Sequence, residues 1–377
     1  MSAIYLDYNA TAPVRPEVAD AVARAFAVGG NPSSVHASGR AARAMVEQAR
    51  NEVAALVGGP SSTVIFTSGG TEANALAIDS AVATGSKRLI VSAIEHDSVL
   101  ETAKASGAAV ELLPVTADGV ADLAWLAERL TRWDAADGRP FVALMLANNE
   151  TGVIQPVREA SEIVRAAEGW LHVDAIQAAG RIIADSRALG ADTLVVSAHK
   201  LGGPQGVGAL TFGPRATMVR RQHGGGQERG RRAGTENVAG IAGFGAAALA
   251  ALRDKDTQTA WRDTAAERLK AQGAVVVGEG APRLFNTLCV AAPGYPAELQ
   301  VMALDLAGVM VSAGSACSSG KVKASHVLTA MGLNDLASCA VRVSGGWATT
   351  EQDWAAFAGA WTEVHSRHAA RHRAPAA

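Results

Sequence analysis

The sequence predicts an α/β protein: a large, mostly parallel sheet covered by helices, followed by a smaller α+β part. Three observations predict it. From about residue 60 to residue 212, short apolar runs alternate with helix-like stretches, which is the pattern of strands joined by crossover helices. Several of those runs end on Gly, Asp, His or Ser. After about residue 255 the alternation gives way to a different order of strands and helices.

In order along the chain, TVIFTSGG leads into TEANALAIDSAVA and RLIVSAIEH into DSVLETAKAS. VELLPV precedes DLAWLAERL, and FVALMLANN precedes VREASEIVRAAE. WLHVDA, TLVVSA and GALTFG follow as further β-type runs. The apolar run Val238–Leu252 is shorter than the roughly 20 residues a bilayer requires, and its Ala/Gly content suggests a tightly packed buried helix. Beyond it, WRDTAAERLKAQG, ELQVMALDLAG and EQDWAAFAGAWTEVHSRH read as helices, while VVVG, FNTLCVAA and CAVRVS read as strands. No repeat or low-complexity linker separates the two parts.

The bulk numbers narrow the function. At 377 residues the chain holds one large domain or two, with an ordinary globular composition of 49% hydrophobic and 19% charged residues. Lys and Arg number 34 against 36 Asp and Glu, a net charge of -2. That argues against nucleic-acid or membrane-surface partners, both of which need a basic face. The basic HSRHAARHRAPAA reads as a solvated terminus. MSAIYLDYNATAPVRPEV lacks a charged-then-apolar leader pattern. The three cysteines, Cys289, Cys317 and Cys339, are odd in number and widely spaced, which speaks against a disulfide framework. The expected compartment is the cytoplasm.

Two motif-like stretches are decoys. GSACSSGKV has the wrong glycine spacing for a phosphate loop and Val after its Lys321. GFGAAA fits a dinucleotide pattern but lies inside a helical run and follows no strand.

In open α/β sheets the ligand lies beyond the carboxyl ends of the strands, so the polar residues there carry the information. TSGGTEAN makes a glycine turn into a helix with Thr71 as N-cap candidate and Glu72 in the first turn. Free N–H groups and the helix dipole at such a start favour a phosphate; alone, the motif is equally an ordinary cap. Asp174 ends the apolar run HVDAIQ and needs a partner or a capping role. His96 alone reads as a core-edge histidine and Asn149 as a turn residue. Lys200, at the end of VVSAHK beside His199 and before a Gly-Pro-Gly turn, is a cation at a strand mouth. Together they are the set a phosphorylated pyridine aldehyde needs: a phosphate cradle, an amine for the aldehyde, and an acid that keeps the ring nitrogen protonated.

The set lies within motifs that run nearly end to end: YLDYNATAPV, GNPSSVH, TSGGTEAN, EHDSVL, NNETGVIQP, HVDAIQAAG, SAHKLGGPQGVGAL, GGGQERGRRAGTENVAGI, SAGSACSSG and VRVS. In these the chain resembles the class V aminotransferase-type pyridoxal phosphate enzymes, and within them the cysteine desulfurases of the iron–sulfur and nitrogen-fixation type. The resemblance implies a fold-type I enzyme: a cofactor-binding domain over 15–255, and a small domain made of 1–14 plus 256–377 that carries the cysteine loop. Lys200 then resembles the Schiff-base lysine, Asp174 the partner of the pyridine nitrogen, Gln177 that of the phenolic oxygen, and His96 the ring-stacking residue. Gly70, Thr71, Ser197 and His199 match phosphate ligands. Thr235 matches a threonine that reaches the phosphate from the neighbouring subunit, which implies a homodimer. Asn149 and Arg342 match residues near cofactor and substrate carboxylate.

Cys289 and Cys339 sit in apolar runs and read as inert thiols. Cys317 sits among Gly, Ala and Ser in SAGSACSSG, a stretch with little to bury and expected to be exposed. It matches the persulfide-forming cysteine. The implied reaction takes sulfur from L-cysteine, leaves L-alanine, and passes the persulfide sulfur to a scaffold or carrier protein for iron–sulfur cluster assembly. Lys200 is the expected base, with His96 assisting. At most, Cys317 touches an iron–sulfur cluster in passing, since no C-x-x-C spacing builds a metal site. The competing readings are a selenocysteine lyase, a class V transaminase, or a sulfur-transfer scaffold without catalysis. The loop thiol argues against the second, and Lys200, Asp174 and His96 against the third. The chain departs from the family at Gln205, where Lys is common, at Gly345-Gly346-Trp347, where Leu-Gly usually follows VRVS, and at Ala313, where Ser is commoner.

Overall fold

A computed structural model describes residues 3–314 and 324–373. Its larger sheet has seven strands, in the order Val64–Thr67, Gly208–Phe212, Thr193–Ser197, Trp170–Asp174, Phe141–Ala143, Arg88–Ser92, Ala109–Leu113. Alternate residues enter opposite cores. Leu171, Val173, Leu194 and Val196 pack with Val53, Leu126 and Phe244. Trp170, Phe141 and Leu89 face Ile78, Val99 and Ala103 on the other side. Apolar residues at consecutive positions are what a sheet covered on both faces requires.

GALTFG is the strand that breaks the parallel rule: Gly208–Phe212 runs antiparallel to Thr193–Ser197, with Ser197 opposite Gly208. The connection 198–207 is too short for a crossover, which takes a dozen or more residues. The reversal brings the start of that strand back to the edge where its neighbours end.

The Val238–Ala251 helix is buried, as its composition suggests, because its glycines admit close neighbours. A Cβ on Gly245 would lie 2.7 Å from Ala49 Cα, and one on Gly243 2.8 Å from Val22 Cγ2.

The second sheet has four antiparallel strands, Ser312–Ala313, Ala340–Ser344, Thr287–Ala291 and Val275–Val276. Trp354, Phe357 and Trp361 of the long helix Glu351–Arg373 pack into its core together with Leu6. Leu6 arrives there because Ile4–Tyr5 pairs in parallel with Val309–Met310.

The Gly345-Gly346-Trp347 departure is firmly built. Gly345 and Asn286 exchange two hydrogen bonds, of 2.9 and 2.7 Å. Trp347 Nε1 donates to the Pro13 carbonyl at 3.0 Å, and the Arg15 guanidinium lies over the Trp347 ring. A Cβ on Gly346 would fall 1.9 Å from Tyr8 Cδ1. Gly346→Ala is therefore expected to cost about 1–3 kcal/mol through overpacking, read as a lower urea midpoint. An unchanged midpoint would show that the Tyr8 ring gives way freely.

Candidate active site

The site forms where the strands of the larger sheet end. Thr67 closes its strand, and helix Gly70–Ala83 starts with Gly69 as N-cap. The expected N-cap, Thr71, lies instead inside the first turn. Two glycines let the backbone turn with no side-chain cap, and Glu72 steadies the approach by accepting from Ser68 N at 2.7 Å. Thr71 is thereby left exposed, with its hydroxyl unpaired among the described residues. The turn must be glycine for another reason: a Cβ on Gly70 would sit 2.2 Å from Ile176 Cδ1 and 3.7 Å from Ser197 Cβ. The helix start, Ser197 and the turn after Asp174 thus share one corner.

Asp174 ends its strand buried. Its Oδ1 accepts from Ile176 N at 2.9 Å and its Oδ2 from Asn74 Nδ2 at 2.8 Å. It therefore closes a turn of its own backbone, though it caps no helix. Nearby, burial and then the charge of Asp174 push the Glu95 carboxyl well above the usual carboxylate range. His96 caps helix Asp97–Ala105, its Nδ1 accepting from Ser98 N at 3.1 Å. Its ring is at the surface rather than in a core edge.

Lys200 ends a single helical turn, Ala198–Lys200. Its Nζ donates to the Asn9 and Ala10 carbonyls, at 2.5 and 2.8 Å. Burial, followed by the Arg342 and Arg181 cations, lowers its pKa to about 7. A nucleophilic amine needs this setting, since the neutral form becomes available near neutral pH. Burial and then Lys200 lower His199 to about 4; its Nδ1 meets Thr11 Oγ1 at 3.1 Å. Gln177 Nε2 donates to the Asn9 carbonyl at 2.9 Å. A cavity of about 340 Å³ reaches Lys200 from the side of Arg181 and Trp347.

Arg342, on the second sheet, donates from Nη2 to Asp7 at 2.8 Å and from Nη1 to the Asn149 carbonyl at 3.3 Å. Its Nε is buried without a partner among the described residues. Asn149 thus enters the group through its backbone. Thr235 is exposed ahead of helix Val238–Ala251, and no hydrogen bond joins it to this group. Cys317 lies outside the described residues. On either side of that segment, Ser325 Oγ donates to Glu150 Oε2 at 2.6 Å, and a Cβ on Gly314 would lie 2.3 Å from the same oxygen. Cys289 and Cys339 are buried, and burial pushes the Cys289 thiol up.

Sequence reasoning did not single out Asn9, Asn74, Glu95, Ser98, Glu150 or His172. A signal existed for Asn74 and His172, each a polar residue inside an apolar run. It marks burial without naming the partner. Among the described residues, no cluster of three or more His, Cys, Asp or Glu could hold a metal ion, and no helix is long and apolar enough to cross a membrane.

Residues 4–357 match the family model described as aminotransferase class-V. The chain is 39% identical to a protein of Dictyoglomus turgidum named cysteine desulfurase IscS, over 93% of this chain and 91% of that protein. It is 43% identical to a cysteine desulfurase of Frankia sp., covering 93% and 88%. A solved structure titled NIFS-like protein superposes with a TM-score of 0.88 at 33% identity, covering 97% of this chain and 100% of the other.

Proposed function

This chain belongs to the class V aminotransferase family and acts as a cysteine desulfurase, and we propose that Lys200, Asp174, His96, Arg342 and Cys317 carry the reaction. The observation that carries the reading is Lys200: a half-buried amine, its pKa lowered to about 7, three residues after Ser197, which shares one corner with the glycine turn and the turn after Asp174.

Pyridoxal 5'-phosphate fits these residues. The turn at Gly70 and Thr71 offers helix-start N–H groups to a phosphate, with Ser197 and His199 beside it. Asp174 suits a ring nitrogen, Gln177 a phenolic oxygen, and the exposed His96 ring a stacking face. When bound, the cofactor supplies an electron sink for the substrate α-carbon.

The chain's own groups do the rest. Arg342 has an unused buried Nε with which to receive the carboxylate of L-cysteine, next to Asn149. Lys200, once released from the cofactor, takes the α-proton on Nζ. The Cys317 thiolate attacks the substrate sulfur; the C–S bond breaks, its electron pair stays with the carbon side, and L-alanine leaves after that carbon is protonated. Lys200 and His96 supply the protons. The persulfide on Cys317 then goes to a scaffold or carrier protein, and the names of the relatives suggest iron–sulfur assembly as its use. Thr235, exposed and joined to this group by no hydrogen bond among the described residues, suits a contact with a second copy. The main cores of the two sheets are distinct, which supports a cofactor domain over 15–255 and a smaller one made of 1–14 with 256–377, the two joined where Ile94 and Met145 pack with Val277 and Cys289.

The deciding experiment is alanine and sulfide release from L-cysteine by the purified protein, with and without a reductant; release of neither would end this reading. Asp174→Asn is expected to keep the fold and lower turnover by roughly two orders of magnitude, because a neutral amide no longer favours a protonated ring nitrogen. Near-normal turnover would leave Asp174 a turn-former only.

A further inference from the structure

Behind Asp174 runs a line of buried side chains whose hydrogen bonds fix one another's direction. A carboxylate oxygen only accepts, so the Asn74 amide must turn its nitrogen toward Asp174 Oδ2, 2.8 Å away. The second N–H of that nitrogen meets Ser98 Oγ at 2.9 Å. Asn74 Oδ1 is left facing His172 Nε2 at 3.0 Å, so Nε2 carries the proton. His172 Nδ1 is then an acceptor and takes the Thr193 hydroxyl proton at 3.0 Å. Thr193 Oγ1 in turn receives the Trp170 indole N–H at 3.0 Å. Burial pushes the His172 imidazole down to about 3, so one proton and one tautomer suffice. On the other branch, the Ser98 hydroxyl gives its proton to His96 Nδ1 at 2.9 Å, beside the Ser98 N–H aimed at the same atom. Neutral His96 therefore presents Nε2–H.

Asn74 is the junction. Its side chain is fully buried, and its two donors and its acceptor are all engaged. Among the described residues, no other side chain links Asp174 to His96 through so few hydrogen bonds.

We propose that Asn74 is a positioning residue that holds Asp174 and His96 in one hydrogen-bonded frame, anchored by His172, Thr193 and Trp170. Its consequence for turnover rests on the desulfurase reading; the wiring does not.

The test has two arms. Nitrogen-15 NMR of histidine-labelled protein, with His172 assigned through His172→Gln, should show His172 protonated on Nε2 alone. In Asn74→Leu the proton should move to Nδ1, where Thr193 Oγ1 can still accept it. Wild type protonated on Nδ1 would put the amide oxygen against Asp174 and overturn the frame. In the second arm, Asn74→Leu should lower kcat by about tenfold or more, the worth of a charge-assisted hydrogen bond, with KM for L-cysteine within about twofold. Asn74→Leu added to Asp174→Asn should cost little beyond Asp174→Asn alone, because both changes cut the same frame. Fully additive losses would reduce Asn74 to a packing residue. Should Asn74→Leu fail to fold, Asn74→Ala removes the same donors and acceptor with less bulk: the His172 proton should again move to Nδ1, and kcat should fall likewise. A wild-type protein inert toward cysteine would sink the desulfurase reading while the tautomer result stood.

Discussion

Cys317→Ser is expected to bind cofactor normally, to show the first spectral change with L-cysteine, and to release sulfur at a rate lowered by roughly a thousandfold or more. In the proposed mechanism cofactor binding and α-proton removal rely on Lys200, Asp174 and His96, and only sulfur abstraction on the thiol. A serine hydroxyl is almost wholly protonated at neutral pH and is a poor nucleophile toward sulfur, whereas a cysteine yields usable thiolate. Mass spectrometry of the wild type after cysteine is expected to show one added sulfur on the peptide containing Cys317. Cys289→Ser and Cys339→Ser serve as controls. Both thiols are buried, so turnover should stay near normal apart from a packing cost. Wild-type production of alanine and sulfide by Cys317→Ser would turn the reading toward a β-eliminating or transaminating relative.

Lys200→Ala is expected to abolish covalent attachment of the cofactor. Borohydride fixes the cofactor to the Lys200 peptide of the wild type and to no peptide of the variant. Turnover should drop by roughly 10²–10⁴-fold or more, since the variant also lacks the base at the α-carbon. The wild-type amine, lowered to about 7 by burial and by Arg342 and Arg181, should combine with added pyridoxal phosphate more readily as pH rises through neutrality, because the unprotonated fraction grows. A colourless wild-type protein after incubation with excess cofactor would count against Lys200 and against the site built around it.

How much of this was legible depended on whether a signal was local. The strand-end motifs could be read directly, because an apolar run that stops on Asp174 or Ser197 announces both the strand and the residue at its mouth. GALTFG read equally well as a strand, but its direction is set by the length of the connection before it and by pairing with Ser197. Thr71 was misplaced as a cap because two preceding glycines allow the helix to begin earlier, and cap propensity ranks Thr and Gly about level, so it does not choose between them. Asn74 and His172 lie about a hundred positions apart, and only the fold reveals that one bonds the other. Glu95 and Glu150 carry no local signal of their surroundings; both are buried. The role of Cys317 rests on its motif alone.

The pairing of Ile4 with Val309 sets an order of events during synthesis. A ribosome adding about 5–20 residues per second takes roughly 15–60 s to travel from one to the other. By then every strand of the seven-stranded sheet has emerged, so that part can collapse while residues 4–7 still wait for their partner. Asn9 and Ala10, whose carbonyls accept from Lys200, have their partner by then, whereas Asp7 meets Arg342 only afterwards. The guanidinium proposed to receive the substrate carboxylate is thus fixed last, after the scaffold around Lys200 has been made.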